Sequence, residues 1–477
     1  MLKAIVIVAI VMITRVNLLR DFSISLRAIK RDASMSQHEY PQISYICKNL
    51  FSMNFIEELQ WRNMLFDMTP GADEKLVTPG NIGYIGFDPT AASMTIGNFV
   101  QLQLLNLWQR TGNTPIVLMG GATGRIGDPS GKDAERQLKS YEVLDSNLSF
   151  QAAQAKKLLN FEDGPNKAIL VNNHDFYRNM NILDFLRDVG KTLTVSYMIS
   201  KESVKNRLET GISFTEFSYQ LLQAYDFQYL YVNHGVRFQM GGSDQWGNIT
   251  SGTEFIRRNL ENAKAYAITT PLLTKSDGKK FGKSEEGNIW LDPNMTSPYK
   301  FYQFWINADD ADIGTFTRYF TNKSKEEVEA LEKEHADDPR ILKKLLSEEL
   351  TTRIHSEDAY KSAMQVSELL FNKKATKDSL MQMDESTLAM VGQELKSIEI
   401  KKEIIQGHIN IIELISEASN IVSSKSEGRR AIKNNSVSVN KEKVTDENLM
   451  VTPEMLLHGK YLMIENGKKN KFLLVVS

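Results

Sequence analysis

Apolar residues follow two patterns along this chain: short continuous runs and amphipathic helical spacing. Between about residues 80 and 275, short apolar runs at 81–87, 115–121, 168–173 and 237–242 alternate with segments of amphipathic helical spacing. Such alternation is typical of parallel strands joined by crossover helices. Two of these runs end in double glycine, where the chain turns off a strand and the backbone can approach a ligand. We therefore expect an α/β domain with a ligand site at the carboxyl ends of its strands.

The short apolar runs that predict strands no longer occur at regular intervals after residue 300. Residues 301–375 are charged and helical in pattern, as in the segment 324–350. The pattern then weakens, and we interpret residues 376–404 as a linker. A new mixture of apolar and basic residues occupies 405–477. The sequence thus predicts an α-helical domain and a small α+β domain after the α/β domain.

The first 52 residues share none of these patterns. Lys3 is followed by an apolar run at 4–13, which is too short to span a bilayer, and then by arginines with few acids. A secretory signal, an organellar presequence and a start site assigned too far upstream all stay open. Amphipathic helical spacing first appears at Met53. We expect the functional protein to begin near there and assign the leader 1–52 no role.

Composition narrows the class of protein. The chain has 477 residues, of which 42% are apolar and 24% charged, as in soluble globular proteins, so we expect no membrane association. Its net charge of -2 means that any contact with nucleic acid is regional. Cys47 is the sole cysteine and the seven histidines are scattered, so we expect a reducing, cytoplasmic location and no metal site.

A first candidate motif is GFDPTAASMTIGN, residues 86–98. An apolar strand at 81–87 runs into an Asp-Pro turn, and apolar residues at helical spacing follow from Ile96. Gly97 would leave the backbone donors of the first helical turn open to an anion such as phosphate. A strand-to-helix turn whose glycine serves packing alone explains this short pattern equally well.

A second candidate motif is TKSDGKKFGKSEEG, residues 274–287. Four lysines lie within nine residues around two glycines. A glycine-containing loop of this kind can close on a polyanion, with its lysines as movable charges on phosphate groups. A solvated lysine-rich turn is the simpler alternative.

Taken together, the two motifs resemble the two signatures of class I aminoacyl-tRNA synthetases. Three further blocks, GGATGRIGDPSGK (120–132), GISFTEFSYQLLQAYDF (211–227) and QMGGSDQWGNITSG (239–252), resemble tyrosyl-tRNA synthetases of the bacterial and organellar type. The resemblance covers the chain from about Met53 to its end.

The resemblance implies a Rossmann-like catalytic domain at 53–300 with a mobile KFGKS loop, a helical anticodon-binding domain at 301–375 and an RNA-binding domain at 405–477. It implies a homodimer that uses ATP, with Mg²⁺ held by phosphates and water, to join L-tyrosine to tRNA(Tyr) by way of tyrosyl-adenylate. Both steps need orientation and charge stabilisation rather than a nucleophilic side chain.

The resemblance also assigns roles to individual residues of this chain. It implies that tyrosine is bound by Tyr84, Asp128, Asn173, Tyr219, Gln223, Asp226 and Gln245. It implies that ATP is bound by Gly86, Asp88, Gly97, Gly242, Asp244, Lys283 and Ser284. The catalytic contacts to phosphate and pyrophosphate would come from Thr90, Thr95, Asn98, Lys132, Arg136, Lys280 and Lys283. Without the resemblance, Tyr219, Gln223 and Asp226 would be read as one ordinary helix face.

The C-terminal segment 423–444 resembles a small RNA-binding domain shared with a ribosomal protein. The residues implied to contact RNA phosphates are Lys425, Arg429, Arg430 and Lys433, although charge alone would favour a solvated helix face.

The chain departs from the family pattern at Thr95, where a histidine is usual, and mildly at Asn98. A threonine hydroxyl reaches less far than an imidazole and carries no charge. Our hypothesis is that Thr95 acts through water or that Thr90, Lys280 and Lys283 take over part of its work.

Two alternatives belong to other functional classes. One is a nucleotidyltransferase that acts on a small molecule without tRNA, against which the helical and RNA-binding patterns count. The other is a non-catalytic RNA-binding relative, for which the altered Thr95 and Asn98 are the sequence support.

Overall fold

The computed structural model describes residues 53–130, 137–207, 211–284, 287–371, 376–467 and 470–477. The leader 1–52 and two predicted catalytic residues, Lys132 and Arg136, lie outside these ranges. Across the ranges that are described, no helix has both the length and the apolar character needed to cross a membrane.

A six-stranded sheet forms the centre of the N-terminal half. Its strands are β1 (Asp67–Met68), β2 (Ile82–Phe87), β3 (Thr114–Met119), β4 (Ile169–Asn172), β5 (Phe238–Gly242) and β6 (Tyr266–Thr270). They lie in the order β1-β6-β5-β2-β3-β4, and all neighbours are parallel except β1 and β6. Because β2 has β3 on one side and β5 on the other, the strand order reverses there. Ligands of such sheets bind at this reversal, at the carboxyl ends of the strands.

Helices cover both faces of this sheet. They are α1 (Phe55–Trp61), α2 (Ala72–Lys75), α3 (Ile96–Arg110), α4 (Tyr141–Leu158), α5 (His174–Tyr177), α6 (Ile182–Asp184), α7 (Val195–Ile199), α8 (Glu202–Lys205), α9 (Phe214–His234) and α10 (Trp246–Asn259). A π-helical segment, Phe185–Gly190, and two short 3-10 turns, Thr123–Arg125 and Ser243–Gln245, complete this half. The apolar face of α3 packs inward, and its Trp108 contacts Phe55 and Phe238 at ring-centre distances of 4.8 and 5.2 Å. These contacts fix the helix that follows the first motif.

Two strands and five helices follow the sheet. The KFGKS motif forms a hairpin of β7 (Lys283–Ser284) and β8 (Gly287–Asn288). The helices are α11 (Pro298–Ile306), α12 (Asp310–Phe320), α13 (Lys325–Glu334), α14 (Pro339–Ile354) and α15 (Glu357–Phe371). Arg62, which follows α1 directly, is buried and donates hydrogen bonds to the carbonyls of Thr321 and Lys323, at 3.1 and 2.8 Å. The helical segment is thereby joined to the N-terminal half.

The C-terminal part is a second, smaller sheet with its own core. Its strands are β9 (Lys396–Ile400), β10 (Ile409–Asn410), β11 (Val437–Val439), β12 (Glu442–Lys443), β13 (Met450–Val451), β14 (Tyr461–Asn466) and β15 (Asn470–Val476). Five of them lie in the order β12-β11-β14-β15-β9, and β10 pairs with β13. The helices are α16 (Lys377–Met381), α17 (Glu385–Glu394), α18 (Lys402–Gln406), α19 (Ile411–Glu413) and α20 (Lys425–Lys433), with a π-helical segment, Leu414–Ala418, and a 3-10 turn, Pro453–Met455.

Residues 376–404, where the sequence predicts a linker, form regular structure. They contain α16, α17 and β9, and β9 pairs in parallel with β15 from Lys396 opposite Phe472 to Ile400 opposite Val476. As an edge strand, β9 is mostly exposed, so its apolar alternation is weak in the sequence. The C-terminal sheet therefore includes a strand that precedes residue 405.

Candidate active site

The strand reversal between β2 and β5 opens into a cavity of about 320 Å³. Most of the site residues that the sequence predicts line its wall: Tyr84, Gly86, Asp88, Thr90, Gly97, Asn98, Asp128, Asn173, Tyr219, Gln223, Asp226, Gly242, Asp244 and Gln245. The structure thus brings together residues that are up to about 160 positions apart in the chain. Of the other predicted site residues whose side chains the structure describes, Thr95 and Lys280 are not part of this wall. The side chains of Lys283 and Ser284 lie outside the described part of the chain.

A tyrosine hydroxyl and a carboxylate are buried at one end of the cavity. Tyr84 of β2 is fully buried, and within the described ranges its hydroxyl has no hydrogen-bond partner. Asp226 of α9 accepts hydrogen bonds from Asn173 Nδ2 at 2.9 Å and from Tyr177 Oη at 2.7 Å. Burial raises the pKa of Asp226 to about 7, although these two hydrogen bonds oppose the rise. This end can exchange hydrogen bonds with a polar group at the tip of an otherwise apolar ligand.

Tyr177 is a residue of this end that the sequence analysis missed. It lies in α5, just past the carboxyl end of β4, and its hydroxyl reaches both Asp226 and the carbonyl of Leu222, the latter at 2.9 Å. The sequence signal that could have identified Tyr177 is its position just after a predicted strand, because residues at the carboxyl ends of parallel strands converge on the ligand site.

Asp88 occupies the middle of the cavity wall, at the end of β2. Its two carboxylate oxygens accept hydrogen bonds from Thr123 Oγ1 at 2.6 Å and from Tyr219 Oη at 2.9 Å. A Cβ at Gly120 would lie 2.0 Å from Asp88 Oδ1, so this position excludes any side chain. Burial raises the pKa of Tyr219 well above its usual value, and the charge of Asp88 adds to this rise. The Tyr219 hydroxyl therefore stays protonated and acts as a donor.

Amide and carboxylate groups line a second side of the cavity. Asp128 accepts hydrogen bonds from Gln245 Nε2 at 2.6 Å and from Asn248 Nδ2 at 3.3 Å. Gln223 Nε2 lies 3.5 Å from Gln245 Oε1. The Oε1 atoms of Gln223 and Gln239 are buried and have no hydrogen-bond partner among the described residues. Free buried acceptors beside a carboxylate suit a ligand that carries N–H donors.

Asp244 follows β5 on the same wall. Burial raises the pKa of its carboxyl, and the charge of Asp128 raises it further. Lys280 lies close enough for its charge to oppose this rise. The lysine-rich loop thus contributes positive charge to this edge of the cavity.

The first motif begins helix α3 with a reciprocal cap. Thr95 Oγ1 accepts a hydrogen bond from Asn98 N at 3.3 Å, and Asn98 Oδ1 accepts one from Thr95 N at 3.0 Å. The Thr95 hydroxyl also donates to Asn98 Oδ1 at 2.9 Å. Thr95 and Asn98, the two residues that depart from the family pattern, therefore form hydrogen bonds with each other. Of the two, Asn98 reaches the cavity wall and Thr95 does not.

The second motif packs onto the start of the same helix. Gly282 has a φ of +89°, and a Cβ there would meet Ile96 Cγ1 at 3.3 Å and Gly97 N at 3.4 Å. Its neighbour Phe281 is buried against Phe316 and Phe320, at ring-centre distances of 5.2 and 5.3 Å. The hairpin is thereby held between α3 and the helical segment.

The predicted RNA contacts lie on one helix, α20. Arg429, Arg430 and Lys433 are exposed, whereas Lys425 is partly covered and forms ion pairs with Glu413 and Glu417 at 3.0 and 3.2 Å. The three exposed cations are thus available to a phosphate backbone, and Lys425 would first have to exchange its acidic partners.

Comparisons with known proteins agree on one family. A family model described as tRNA synthetases class I (W and Y) matches residues 80–372. A second, described as Tyrosine--tRNA ligase SYY-like C-terminal domain, matches residues 390–474.

Similar individual proteins are named as tyrosine--tRNA ligases or tyrosyl-tRNA synthetases. A tyrosine--tRNA ligase of Cytophaga hutchinsonii is 52% identical over 425 residues, which are 88% of this chain and 99% of the relative. One of Bacteroides fragilis is 48% identical over 430 residues, 89% of this chain and all of the relative. A C-terminally truncated mitochondrial tyrosyl-tRNA synthetase of Aspergillus nidulans superimposes with a TM-score of 0.61 at 29% identity, over 70% of this chain and 98% of that one. The chain belongs to the class I tRNA synthetases of the tryptophan and tyrosine group and, within it, to the tyrosine–tRNA ligases.

Proposed function

We propose that the cavity performs tyrosine activation in this chain. An oxygen of the tyrosine carboxylate attacks the α-phosphorus of ATP, the bond to the β-phosphate breaks, and tyrosyl-adenylate and pyrophosphate result. The ribose hydroxyl at the end of tRNA(Tyr) then takes the tyrosyl group from the adenylate, and AMP leaves. The observation that carries the proposal is the buried Tyr84 hydroxyl, without a partner in the described ranges, beside the buried carboxylate of Asp226.

Tyr84 and Asp226 would recognise the substrate phenol. Both groups are buried, and a phenol can donate to the carboxylate and accept from the Tyr84 hydroxyl. Phenylalanine would leave both groups unpaired, which costs free energy in a desolvated site. Asn173 would hold Asp226 in place through its 2.9 Å hydrogen bond.

The substrate ammonium would face the amide side of the cavity. Asp128 supplies a negative charge, Gln223 supplies a free buried oxygen, and the Tyr219 hydroxyl, held by Asp88, closes this side. Gln245 orients Asp128 and reaches towards the reacting carboxylate. Orientation of this kind is the main requirement of an in-line attack on phosphorus.

The nucleotide would lie along the start of α3 and the end of β5. Gly86, Gly97 and Gly242 keep the backbone accessible, while Asp88 and Asp244 would accept hydrogen bonds from the ribose. Nothing lies within 4 Å of a Cβ built at Gly86, which leaves room for a bound group. Mg²⁺ would arrive with the ATP phosphates.

Charge stabilisation would come from the two motifs and the segment after β3. Thr90 and Asn98 line the cavity, and Thr95 caps the helix that faces the phosphates. Lys280, Lys283 and Ser284 would close on the pyrophosphate as charge develops, with Lys132 and Arg136 as further cations. The docked hairpin supports this role, because it brings the motif to the start of α3.

The remaining parts of the chain would bind tRNA(Tyr). We assign 53–300 to catalysis, 301–375 to anticodon binding and the C-terminal sheet with α20 to RNA phosphate contacts by Lys425, Arg429, Arg430 and Lys433. The cytoplasm is the compartment that fits this work.

A homodimer would be the working form. Large apolar side chains are exposed along α4 and in the segment that contains α6 and α7: Leu138, Tyr141, Val143, Phe150, Ile182, Leu183, Leu186 and Val195. Exposed apolar side chains mark an association surface where they adjoin one another. A cyclic dimer would bury it against its own copy.

The experiment that tests the proposal is ATP–pyrophosphate exchange with each of the twenty amino acids in turn, followed by charging of tRNA(Tyr). We expect exchange with tyrosine alone, and charging of tRNA. Silence with every amino acid would instead support a non-catalytic RNA-binding relative. Exchange that is followed by transfer to a small molecule, with tRNA left uncharged, would support a nucleotidyltransferase.

A further inference from the structure

A loop outside any strand or helix carries part of the proposed nucleotide site. Residues 88–95 join β2 to α3, and Asp88 and Thr90 of this loop line the cavity. A loop that must present side chains to a reacting phosphate needs support from rigid elements, because small displacements of such groups cost much of the rate.

Helix α4 provides that support from a place outside both sequence motifs. Asn147, Gln151 and Gln154 recur at i, i+4 and i+7 and therefore form one stripe along the helix. Asn147 Nδ2 donates to the carbonyl of Pro89 at 3.0 Å, and Gln151 Nε2 donates to the carbonyl of Ala91 at 2.8 Å.

Gln154 completes the stripe with two hydrogen bonds. Its Oε1 accepts from the backbone N–H of Met94 at 2.9 Å, and its Nε2 donates to Ser93 Oγ at 2.8 Å. The amide of Gln154 thus uses its oxygen as an acceptor and its nitrogen as a donor at the same time. The side chains of Asn147 and Gln151 are buried, so their hydrogen bonds to the carbonyls of Pro89 and Ala91 form away from water.

The other side of the same loop is held by the chain that leaves the KFGKS hairpin. Asp292 N donates to Ser93 Oγ at 3.1 Å, and Leu291 N donates to the carbonyl of Met94 at 2.9 Å. Ser93 is therefore joined both to α4 and to the segment that follows the second motif. The loop has hydrogen bonds on both flanks and little freedom to shift.

We propose that Asn147, Gln151 and Gln154 are positioning residues of tyrosine activation. They touch no reacting atom, and they hold the loop that presents Asp88 and Thr90 to the nucleotide. This inference rests on the proposed function, in which residues 88–98 form the nucleotide side of the cavity. Its consequence is an effect on ATP use that is larger than the effect on tyrosine binding, since Tyr84 and Asp226 stand on β2 and α9 rather than on the loop.

The test compares Gln151→Met and Gln151→Glu with the control Lys156→Met, which alters an exposed residue of the same helix. Methionine keeps the length of glutamine and removes its donor. We expect Gln151→Met to lower kcat/KM for ATP in pyrophosphate exchange by about tenfold, the usual effect of one lost hydrogen bond in a positioning role. The dissociation constant for tyrosine, measured by equilibrium dialysis, should change much less, because Asp88 is the single contact described here between the loop and the tyrosine side, through Tyr219. All parameters of Lys156→Met should stay unchanged.

Gln151→Glu separates positioning from simple packing. A carboxylate cannot donate to the Ala91 carbonyl, but a protonated carboxyl can, and burial raises the pKa of such a group. The activity of Gln151→Glu relative to the wild type should therefore rise as the pH falls from about 8 to about 6, whereas Gln151→Met should show no such trend.

Three results would overturn the inference. One is Gln151→Met with wild-type kcat/KM for ATP, whatever its melting temperature. Another is an equal loss for ATP and tyrosine, which indicates a general structural role. The third is a pH profile of Gln151→Glu parallel to that of Gln151→Met. Failure of the proposed function would look different, since the wild type itself would then show no tyrosine-dependent exchange.

Discussion

Tyr177→Phe removes one hydroxyl that bonds to the carboxylate proposed to read the substrate phenol. Asp226 has a pKa of about 7, and the hydrogen bonds from Asn173 and Tyr177 both hold it down. A hydrogen bond to a charged group contributes about 1.5–3 kcal/mol. One pKa unit corresponds to about 1.4 kcal/mol. Loss of the Tyr177 bond should therefore raise the pKa of Asp226 above its present value of about 7.

The direction in which kcat/KM for tyrosine changes with pH follows from the protonation state of Asp226 that binds tyrosine. If the ionised carboxylate accepts the phenol hydrogen, kcat/KM for tyrosine falls as the pH drops through the pKa of Asp226 in the free enzyme. The wild type should show this acid limb near neutral pH, and Tyr177→Phe should move it upward. At pH 7 the variant should then use tyrosine roughly tenfold less efficiently, while kcat/KM at high pH stays near that of the wild type.

The assay is pyrophosphate exchange at saturating ATP, with kcat/KM for tyrosine measured across the pH range. Tyr229→Phe is the matched control, because its ring stacks on Phe176 at 4.0 Å in the same cluster, whereas the hydrogen bonds of Asp226 come from Asn173 and Tyr177. An acid limb that stays in place would refute the reasoning. It would assign the Tyr177 hydrogen to the Leu222 carbonyl, which lies 2.9 Å away.

Three further predictions test other parts of the site. Asp226→Ala should lose most of the discrimination between tyrosine and phenylalanine in pyrophosphate exchange, because the phenol then keeps only its hydrogen bond to the Tyr84 hydroxyl; unchanged discrimination would remove Asp226 from the pocket. Thr95→Ala should lower the free energy of unfolding by about 1 kcal/mol, the usual cost of a lost N-cap, and should slow tyrosyl-adenylate formation only modestly, since Thr95 lies off the cavity wall. If adenylate formation is unchanged, Thr95 serves the fold alone, and a large loss would place it on the phosphates. Deletion of residues 376–477 should abolish tRNA charging and preserve pyrophosphate exchange; equal loss of both would contradict the division of labour.

The last of these experiments depends on the boundary seen in the structure. A deletion after residue 405 would keep β9 and remove its partner β15. It would also expose Leu380, Leu388 and Val391, which share one apolar cluster with residues of β14 and β15. Removal of the whole segment from 376 avoids a stranded edge strand. It uncovers Ala363, Val366 and Leu369 of α15, which belong to the same cluster, so the melting temperature of the truncated protein is measured alongside its exchange activity.

The sequence was sufficient for the family, the class of enzyme and the α/β fold, all of which are confirmed. The short continuous apolar runs predicted the parallel sheet, because strands that are buried on both faces consist of such runs. The roles of single residues stay predictions, although Tyr84, Asp226 and Tyr219 meet in one cavity.

Two groups of residues could not be found from the sequence, for different physical reasons. Asn147, Gln151 and Gln154 look like an ordinary polar helix stripe, and their partners are backbone atoms of a loop some sixty residues away, which leaves no trace in local pattern. Tyr177 resembles one more aromatic of a cluster until its hydroxyl is seen 2.7 Å from Asp226. Contacts between distant side chains and backbone are set by tertiary packing alone.

The structure shows what Thr95 and Asn98 of the altered first motif do at the start of helix α3, and it supports the part of the hypothesis in which the lysines take over work from Thr95. Thr95 and Asn98 cap helix α3 reciprocally, so the Thr95 hydroxyl and Asn98 Oδ1 are engaged with each other rather than held free for phosphate. The cap leaves the helix N-terminus intact as a source of partial positive charge, but it adds no full charge of its own. Full charges must then come from the lysine loop, whose Phe281 is buried among aromatic side chains of α12. We therefore expect the anchorage of that loop on the helical segment to contribute more to charge stabilisation than Thr95, the residue that replaces the usual histidine.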